Sequence, residues 1–299
     1  MIEKKKRRAI VRLVVSAIIL SALVSILIVG IRSKKNPLPF FHFGLGNSYP
    51  HADEYTAGDT SIATERLDEI NIDWISGKLQ IELYEGDTIE LREENSTSLT
   101  EEDKVHSYFH DGVLQIQFRR SELSLFHFST PNKSLLIRVP KRFYSEQSAA
   151  LNKLEIDNVS ANIIVNDLPI RKCNIDTVSG DIIMNGAVDE WELDSVSGDS
   201  HLTSYTTPTD IETDTVSGNV TITVPSDSVF STEHDSVSGD FTNAFPSTSK
   251  GGKNHWEFDS TSGDVTINCL DESSGHHYEE HTPYHSPQYY NKHHITHHE

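Results

Sequence analysis

The densest set of groups able to do chemistry lies near the carboxyl end. His276, His277, His281, His285, His293, His294, His297 and His298 all fall within the last 24 residues. Imidazoles at this density can hold Zn²⁺, Ni²⁺ or Cu²⁺, and they gain charge as pH falls below about 6.5. The run His277-Tyr278-Glu279-Glu280-His281 also spells H-x-x-E-H, the inverted zinc-protease order. That chemistry needs a buried helix placing both His on one metal, with a third ligand and a cleft. Here the run sits in polar low complexity, two residues before Pro283, so it reads as a chance match. The segment 271–299 is expected to be a disordered, solvated tail, with metal capture as its alternative use.

A second set is ordered by spacing. "DTVSGD" (Asp176 to Asp181) returns as "DSVSGD", "DTVSGN", "DSVSGD" and "DSTSGD". Aligned on the glycine, the segments carry Gly77, Gly180, Gly198, Gly218, Gly239 and Gly263, with Ala161 in that place once. Four positions earlier stand Asp73, Asp157, Asp176, Asp194, Asp214, Asp235 and Asp259, and a serine always precedes the glycine position. Stacked carboxylates, with Asn162, Asp181, Asp199, Asn219, Asp240 and Asp264 as a second column, could supply hard oxygen ligands to Ca²⁺. Calcium rolls use paired glycines in the pattern GGxGxD, a pattern absent here. The favoured reading is a metal-free corner. In it the Asp carboxylate accepts from backbone N–H groups two or three residues on, Ser bonds locally, and Gly takes positive φ. Zn²⁺ and Ca²⁺ are the only cofactor candidates, and none is required.

No catalytic constellation accompanies these sets. There is no G-x-S-x-G, no phosphate-binding glycine loop and no Cys/His pair at ligand spacing. Solenoid enzymes acting on polysaccharides place their carboxylates where the repeat is locally broken, whereas these acids obey it in every unit. The chain is therefore read as a non-enzyme, with no catalytic residues.

The elements that must position the repeated turn follow from its flanks. From Ala161 onward the turns are 19, 18, 20, 21 and 24 residues apart, a spacing that means stacked units. Apolar residues keep register seven, five and two positions before the glycine, as in Ile70, Ile72 and Ile75, or Cys173, Ile175 and Val178. The position between, occupied by Trp74, Asn158, Thr177, Ser195, Thr215, Ser236 and Ser260, shares no size and is expected to matter less. Apolar residues recur two and four positions after the glycine. Spacing by two sets one face of a strand, and such a coil buries that face only by stacking rungs about 4.8 Å apart. The fold is thus expected to be all-β, a parallel β-solenoid of right-handed connection. Hairpins in "LQIELYEGDTIELREE" and "YFHDGVLQIQFRR" should form its start or cap. Trp191 and Trp256 fall on inward positions and read as packing. Cys173 and Cys269 belong to coils four rungs apart in sequence order, too far for a disulfide, so both should be unpaired core residues.

Ahead of the solenoid the composition changes twice. Lys4 to Arg8 precede an unbroken apolar run from Leu13 to Ile31, long enough for one membrane-spanning helix, with no A-x-A cleavage site after it. Basic residues are denser before the run than after it, which favours a cytoplasmic amino terminus and an extracytoplasmic bulk. The expected organisation is a basic segment 1–12, a transmembrane helix 13–31, a linker 32–66 rich in Pro, Gly and polar residues, the solenoid 67–270 and the tail. Residues 36–299 hold 16 Lys and Arg against 44 Asp and Glu, which argues against nucleic acid as a partner.

The stretch "INIDWISGKLQIELYEGDTIELREE", followed by "LLIRVP" and coils of the "IDTVSGDIIM" type, resembles the bacterial "putative adhesin" family, also called DUF4097, over about Leu67 to Cys269. The resemblance implies the solenoid fold and an envelope role, and it brings no catalytic residues. The expected function is an adhesin-like binding protein or structural scaffold at the cell membrane, with a cell-wall or surface ligand as partner. A metal-binding or envelope-stress sensing role through the tail and the Asp columns is the alternative.

Overall fold

The computed structural model describes residues 52–94, 99–119, 132–144, 149–245 and 253–270. The expected transmembrane helix 13–31, the basic segment before it and the histidine tail lie outside the described residues. Within them no helix is long and apolar enough to cross a membrane.

The described chain is all-β. Its first strands are β1 (Thr56–Ala57), β2 (Thr60–Ala63), β3 (Glu69–Tyr84), β4 (Thr88–Glu94), β5 (His106–His110), β6 (Val113–Gln117) and β7 (Lys133–Pro140). The repeated coils follow as β8 (Leu151–Asn166), β9 (Ile170–Thr177) with β10 (Ile182–Gly186), β11 (Val188–Ser197) with β12 (Ser200–Ser204), and β13 (Asp210–Ser217) with β14 (Val220–Pro225). The last four are β15 (Ser231–Ser236), β16 (Phe241–Asn243), β17 (His255–Ser262) and β18 (Val265–Leu270). Each coil that carries the repeat runs up one wall of the solenoid, turns at the Asp-x-x-Ser-Gly corner and runs along a second wall. β3 and β8 continue through the corner as single strands.

All coil-to-coil pairing is parallel and keeps the repeat in register, so that Asp157 lies opposite Asp73 and Asp176, and Asp194 opposite Asp176 and Asp214. The stacking order nevertheless departs from chain order at both ends. β3 lies between the coil built from β6 and β7 and the coil of β8, so the chain lays down its second coil outside its first and then returns to the other side. At the far end β17 pairs with both β13 and β15, and β18 with both β14 and β16. The last described coil in sequence is therefore threaded between its two predecessors, and among the described residues coil 231–243 forms the end. This changes the count for the cysteines: Cys269 sits three rungs from the coil of Cys173, not four. Both are free thiols, Cys173 buried and Cys269 half-buried.

The amino-terminal end is closed by antiparallel strands. β5 pairs with β6, β4 with β7, β2 with β4 and β1 with β5. The linker expected over 32–66 thus ends earlier, because Thr56–Ala57 and Thr60–Ala63 are already part of this cap. A polar, Gly-containing segment gave no periodicity to reveal them, since strands of two and four residues are too short to show one.

One continuous apolar interior runs along the axis, from Leu114 and Ile116 through Ile70, Ile72, Leu154, Ile156 and Ile175 to Trp256 and Phe258. Each fully buried Ile or Leu stabilises by about 1.5–3 kcal/mol over leaving it exposed. Trp191 and Trp256 are both in this core. Trp191 Nε1 points at Met184 Sδ (2.9 Å), and Trp256 Nε1 donates to the Pro208 carbonyl (3.2 Å). Phe230 closes the carboxyl end of the core, stacked on Trp256 (3.6 Å between centroids) and edge-on to Phe245 (5.0 Å).

Candidate functional site

The corner is built differently from its sequence reading. Strand alternation runs unbroken to the serine, so the residue three before the glycine points inward and the one two before points outward. Trp74 and Asn158 are wholly buried, with Thr177, Ser195 and Thr215 nearly so, whereas Val159, Val178, Val196 and Val216 are half-exposed. The column expected to matter least is the one that ties the corner from inside. Asn158 Nδ2 donates to the Ala161 carbonyl (2.8 Å) and to Thr177 Oγ1 (2.9 Å), while its Oδ1 accepts from Ala161 N–H (3.0 Å). Thr177 and Ser195 hydroxyls donate to the carbonyls of Ser179 (3.0 Å) and Ser197 (3.3 Å). Small polar side chains suit this position because they give buried backbone carbonyls at the bend a donor.

The serine and the residue after the glycine tie one coil to the next. Ser160, Ser179 and Ser197 hydroxyls donate to the carbonyls of Ile75, Val159 and Val178 on the neighbouring rung (2.9, 3.3 and 3.2 Å). The second acidic and amide column forms an unbroken side-chain ladder. Asn162 accepts from Asp181 N–H, Asp181 from Asp199 N–H, Asp199 from Asn219 N–H, Asn219 from Asp264 N–H, and Asp264 from Asp240 N–H, all at 2.9–3.1 Å. Its order, with Asp264 ahead of Asp240, follows the threaded coil.

Glycine is required at the corner mainly by close approach. A Cβ on Gly198 would lie 2.3 Å from the Gly180 carbonyl oxygen, and one on Gly263 2.1 Å from that of Gly218. Gly180 and Gly198 also have φ of 113° and 112°, whereas Gly218, Gly239 and Gly263 are not in the positive-φ region. Positive φ is thus a property of some corners, and the tight rung-to-rung contact is common to all the glycine corners.

With the corner accounted for by other residues, the repeated aspartate is left facing outward. In spatial order the column runs Asp73, Asp157, Asp176, Asp194, Asp214, Asp259, Asp235. Asp73 accepts from Gln117 Nε2 and hydrogen-bonds along the column to Asp157, and Asp176 does the same with Asp157. The carboxylates of Asp73 and Asp176 thus bond along the ladder, where the sequence reading placed them on the backbone of their own corner. On one side runs a row of Asn71, Glu155, Asn174, Glu192, Glu212, Glu257 and Glu233, relieved by the ion pairs Lys153–Glu155 (2.8 Å) and Lys172–Glu192 (3.3 Å). On the other runs the half-exposed aliphatic stripe. The outer wall is therefore a lattice with a repeat of about 4.8 Å along the axis, striped acidic, acidic, aliphatic.

The lattice holds like charges against one another. Burial, then repulsion from Asp157 and neighbouring glutamates, raises the Asp176 carboxyl to about 6. Burial, then Asp176 and Asp214, raises that of Asp194 to about 7. Asp73 and Glu212 are shifted upward as well, desolvation being the first cause in each. A carboxyl whose pKa is higher in the folded chain binds more protons there than when unfolded. This penalty is absent below the unfolded value near 3.9, grows as pH rises, and is complete above about 7. The Asp194→Asn variant is therefore expected to melt several degrees above the parent at pH 8, with the gain gone by pH 4. Comparing the two chains cancels the opposite contribution of His234, whose pKa burial lowers. A gain independent of pH would contradict the repulsion. Asp194 keeps contact with water, so screening holds the effect well below that of a fully buried charge.

Among the described residues no group of three His, Cys, Asp or Glu side chains converges on a metal position. A straight column facing water offers each cation few ligands, whereas Ca²⁺ takes six to eight. The eight tail histidines named as metal candidates lie outside the described residues.

Sequence reasoning passed over a second cluster, beneath the amino-terminal cap. Lys133 Nζ is fully buried and pairs with Glu93 (2.8 Å, its side chain 4 % exposed), donating also to the carbonyls of Asp103 (2.6 Å) and Phe118. It lies over the rings of Phe118 (4.2 Å) and Trp74 (5.3 Å). Burial lowers the ammonium to about 8 although Glu93 opposes the shift. Glu93 in turn accepts from Val105 N–H (3.0 and 3.2 Å). A lysine at the start of a strand carries no signal for this, because its partner lies on another strand 40 residues away.

Residues 145–268 match the family described as Toastrack DUF4097. The match begins after β7, so it covers the coils from β8 onward and leaves out β3 with its Asp73–Gly77 corner. Among solved structures, one described as a "putative cell adhesion protein" from Clostridium sporogenes aligns over 72 % of this chain and 100 % of its own, with 11 % identity and a TM-score of 0.46. Another, described as a "putative adhesin" from Bacteroides fragilis, covers 72 % of this chain and 97 % of its own, with 12 % identity and a TM-score of 0.40. No curated protein matches the chain.

Proposed function

We propose that the chain, whose residues 145–268 match the Toastrack DUF4097 family, is a non-enzymatic, adhesin-like protein of the bacterial cell envelope. In this reading one span over 13–31 anchors it with the amino terminus in the cytoplasm, and the solenoid stands outside the membrane as a rigid binding surface. The observation that carries the reading is the outer wall itself. Alternating charge along the ladder would stabilise the stack, yet like carboxylates occupy equivalent places in seven coils and raise one another's pKa. Such a surface is suited to a repetitive polymer that presents positive or polar groups at regular intervals, with the aliphatic stripe adding contact area. The basic run before the apolar segment, and the excess of acid after it, support the membrane orientation.

The test is retention of the full-length chain on immobilised peptidoglycan and on immobilised collagen. Retention is compared with that of an Asp176→Asn, Asp194→Asn, Asp214→Asn variant. The reading expects retention on at least one surface and a loss of at least fivefold in the variant, which should be no less stable than the parent. No retention on either surface, or equal retention of the variant, overturns it.

A further inference from the structure

The two ends of the solenoid are finished differently. At the amino-terminal end antiparallel strands cover the coil of β6 and β7. At the other end β15 pairs with β17 and β16 with β18, and among the described residues neither has a second partner. The amides of Ser231 and Val237 go to the carbonyls of Asn254 (3.0 Å) and Ser260 (3.3 Å). By strand alternation, Thr232, His234 and Ser236 then direct their N–H and C=O groups outward along the axis. The two large apolar side chains left exposed on the described surface, Val229 (54 %) and Val237 (66 %), flank this edge. Glu233 and Asp240 are exposed beside it. His234 stacks on Phe241 (4.9 Å, 22°), and its Nε2 is buried without a hydrogen-bond partner.

An unpaired strand edge is a template for another strand. A second copy of this chain would bring the same carboxylates to the junction, whereas a basic strand would neutralise them. We propose that the β15 edge accepts an extended basic peptide as the next rung, by strand addition. Its Lys or Arg side chains, at every second position, lie over Glu233 and Asp235 and continue the acidic columns. The intervening small or apolar side chains lie over Thr232, His234 and Ser236, while the aliphatic stem of the next basic residue after the one over Asp235 covers Val237. The site takes in only the last rung of the outer wall and does not depend on the rest of that wall binding anything.

The experiment follows fluorescence anisotropy of a labelled Lys-Thr-Lys-Val-Lys-Thr peptide titrated with the full-length chain in nonionic detergent at fixed salt. Saturable one-to-one binding is expected. Glu233→Lys, which reverses the charge, and Thr232→Pro, which removes an outward N–H without touching the bonds to β17, should each weaken it at least tenfold at unchanged melting temperature. A peptide of the same side chains with N-methylated amides should lose at least tenfold, while the triple Asp→Asn variant of the outer wall stays within twofold. Equal binding of the N-methylated peptide, or indifference to both edge variants, overturns the proposal. So does a concentration-dependent dimer of the chain that Thr232→Pro abolishes, because it would show the edge taken by a second copy.

Discussion

Replacing Lys133 with Met is expected to destabilise the chain by about 3–5 kcal/mol, the range for removing one partner of a buried ion pair. The side chain is 0 % exposed and Glu93 4 % exposed, so without Lys133 the carboxylate must stay charged in an apolar site or take up a proton. The carbonyls of Asp103 and Phe118 would also lose their donor. The methionine fills the space over Trp74 and Phe118, so the loss reports the charge more than the cavity. The double variant Lys133→Met, Glu93→Gln is expected to recover a good part of it, because the orphaned charge is gone. Chemical denaturation of the two single variants and the double variant gives the coupling. A double variant as unstable as the sum of the singles would show that packing, and not the pair, holds the cap.

Gly198→Ala is expected to cost at least about 3 kcal/mol by the sum of two effects. The backbone is held at φ 112°, outside the regions open to a side chain, a strain of about 1–3 kcal/mol. The added Cβ would also meet the Gly180 carbonyl oxygen at 2.3 Å and its carbon at 2.8 Å. Both obstacles are backbone atoms inside a paired ladder, so neither yields without opening the corner. Gly218→Ala separates the two causes: Gly218 lacks the positive φ, but its Cβ would lie 2.2 Å from the Gly198 oxygen. It should still cost about 2 kcal/mol or more, an overpacking penalty of the usual size. A neutral Gly218→Ala would mean that neighbouring rungs are further apart than described.

Much of the solenoid was legible because the repeat constrains it. Equal spacing of Asp, Ser and Gly across the segments leaves one register that places like over like, and Asp176 does lie between Asp157 and Asp194. The order of stacking was not legible. Spacing along the chain is the same whether a coil is laid down next to its predecessor or one place further on. The 24-position step from Gly239 to Gly263 only allows a return path, without requiring it. The coil of β6 and β7 carries no Asp-x-x-Ser-Gly turn and so was invisible as a coil. The orientation of the corner is masked by the valine two before the glycine, whose hydrophobicity alone suggests an inward position. Counting by two from Ile175 would have placed Thr177 inside and Val178 outside, as found. That single step moves the aspartates from turn-makers to surface, and with them the candidate site. Apolar residues on an outward stripe cost little in a folded protein, so composition alone does not reveal which side they face.

The threaded order and the continuous ladder stand or fall together, and amide hydrogen exchange of the native chain tests both. The account predicts that β17 and β18, although last in the chain, exchange as slowly as β13 and β14, because they are paired on both sides. β15 and β16, which come earlier in sequence, should exchange much faster, because they form the end. Fast exchange in 255–270 with slow exchange in 231–243 would place the coils in chain order and contradict the structure on which the outer wall and its open edge are built.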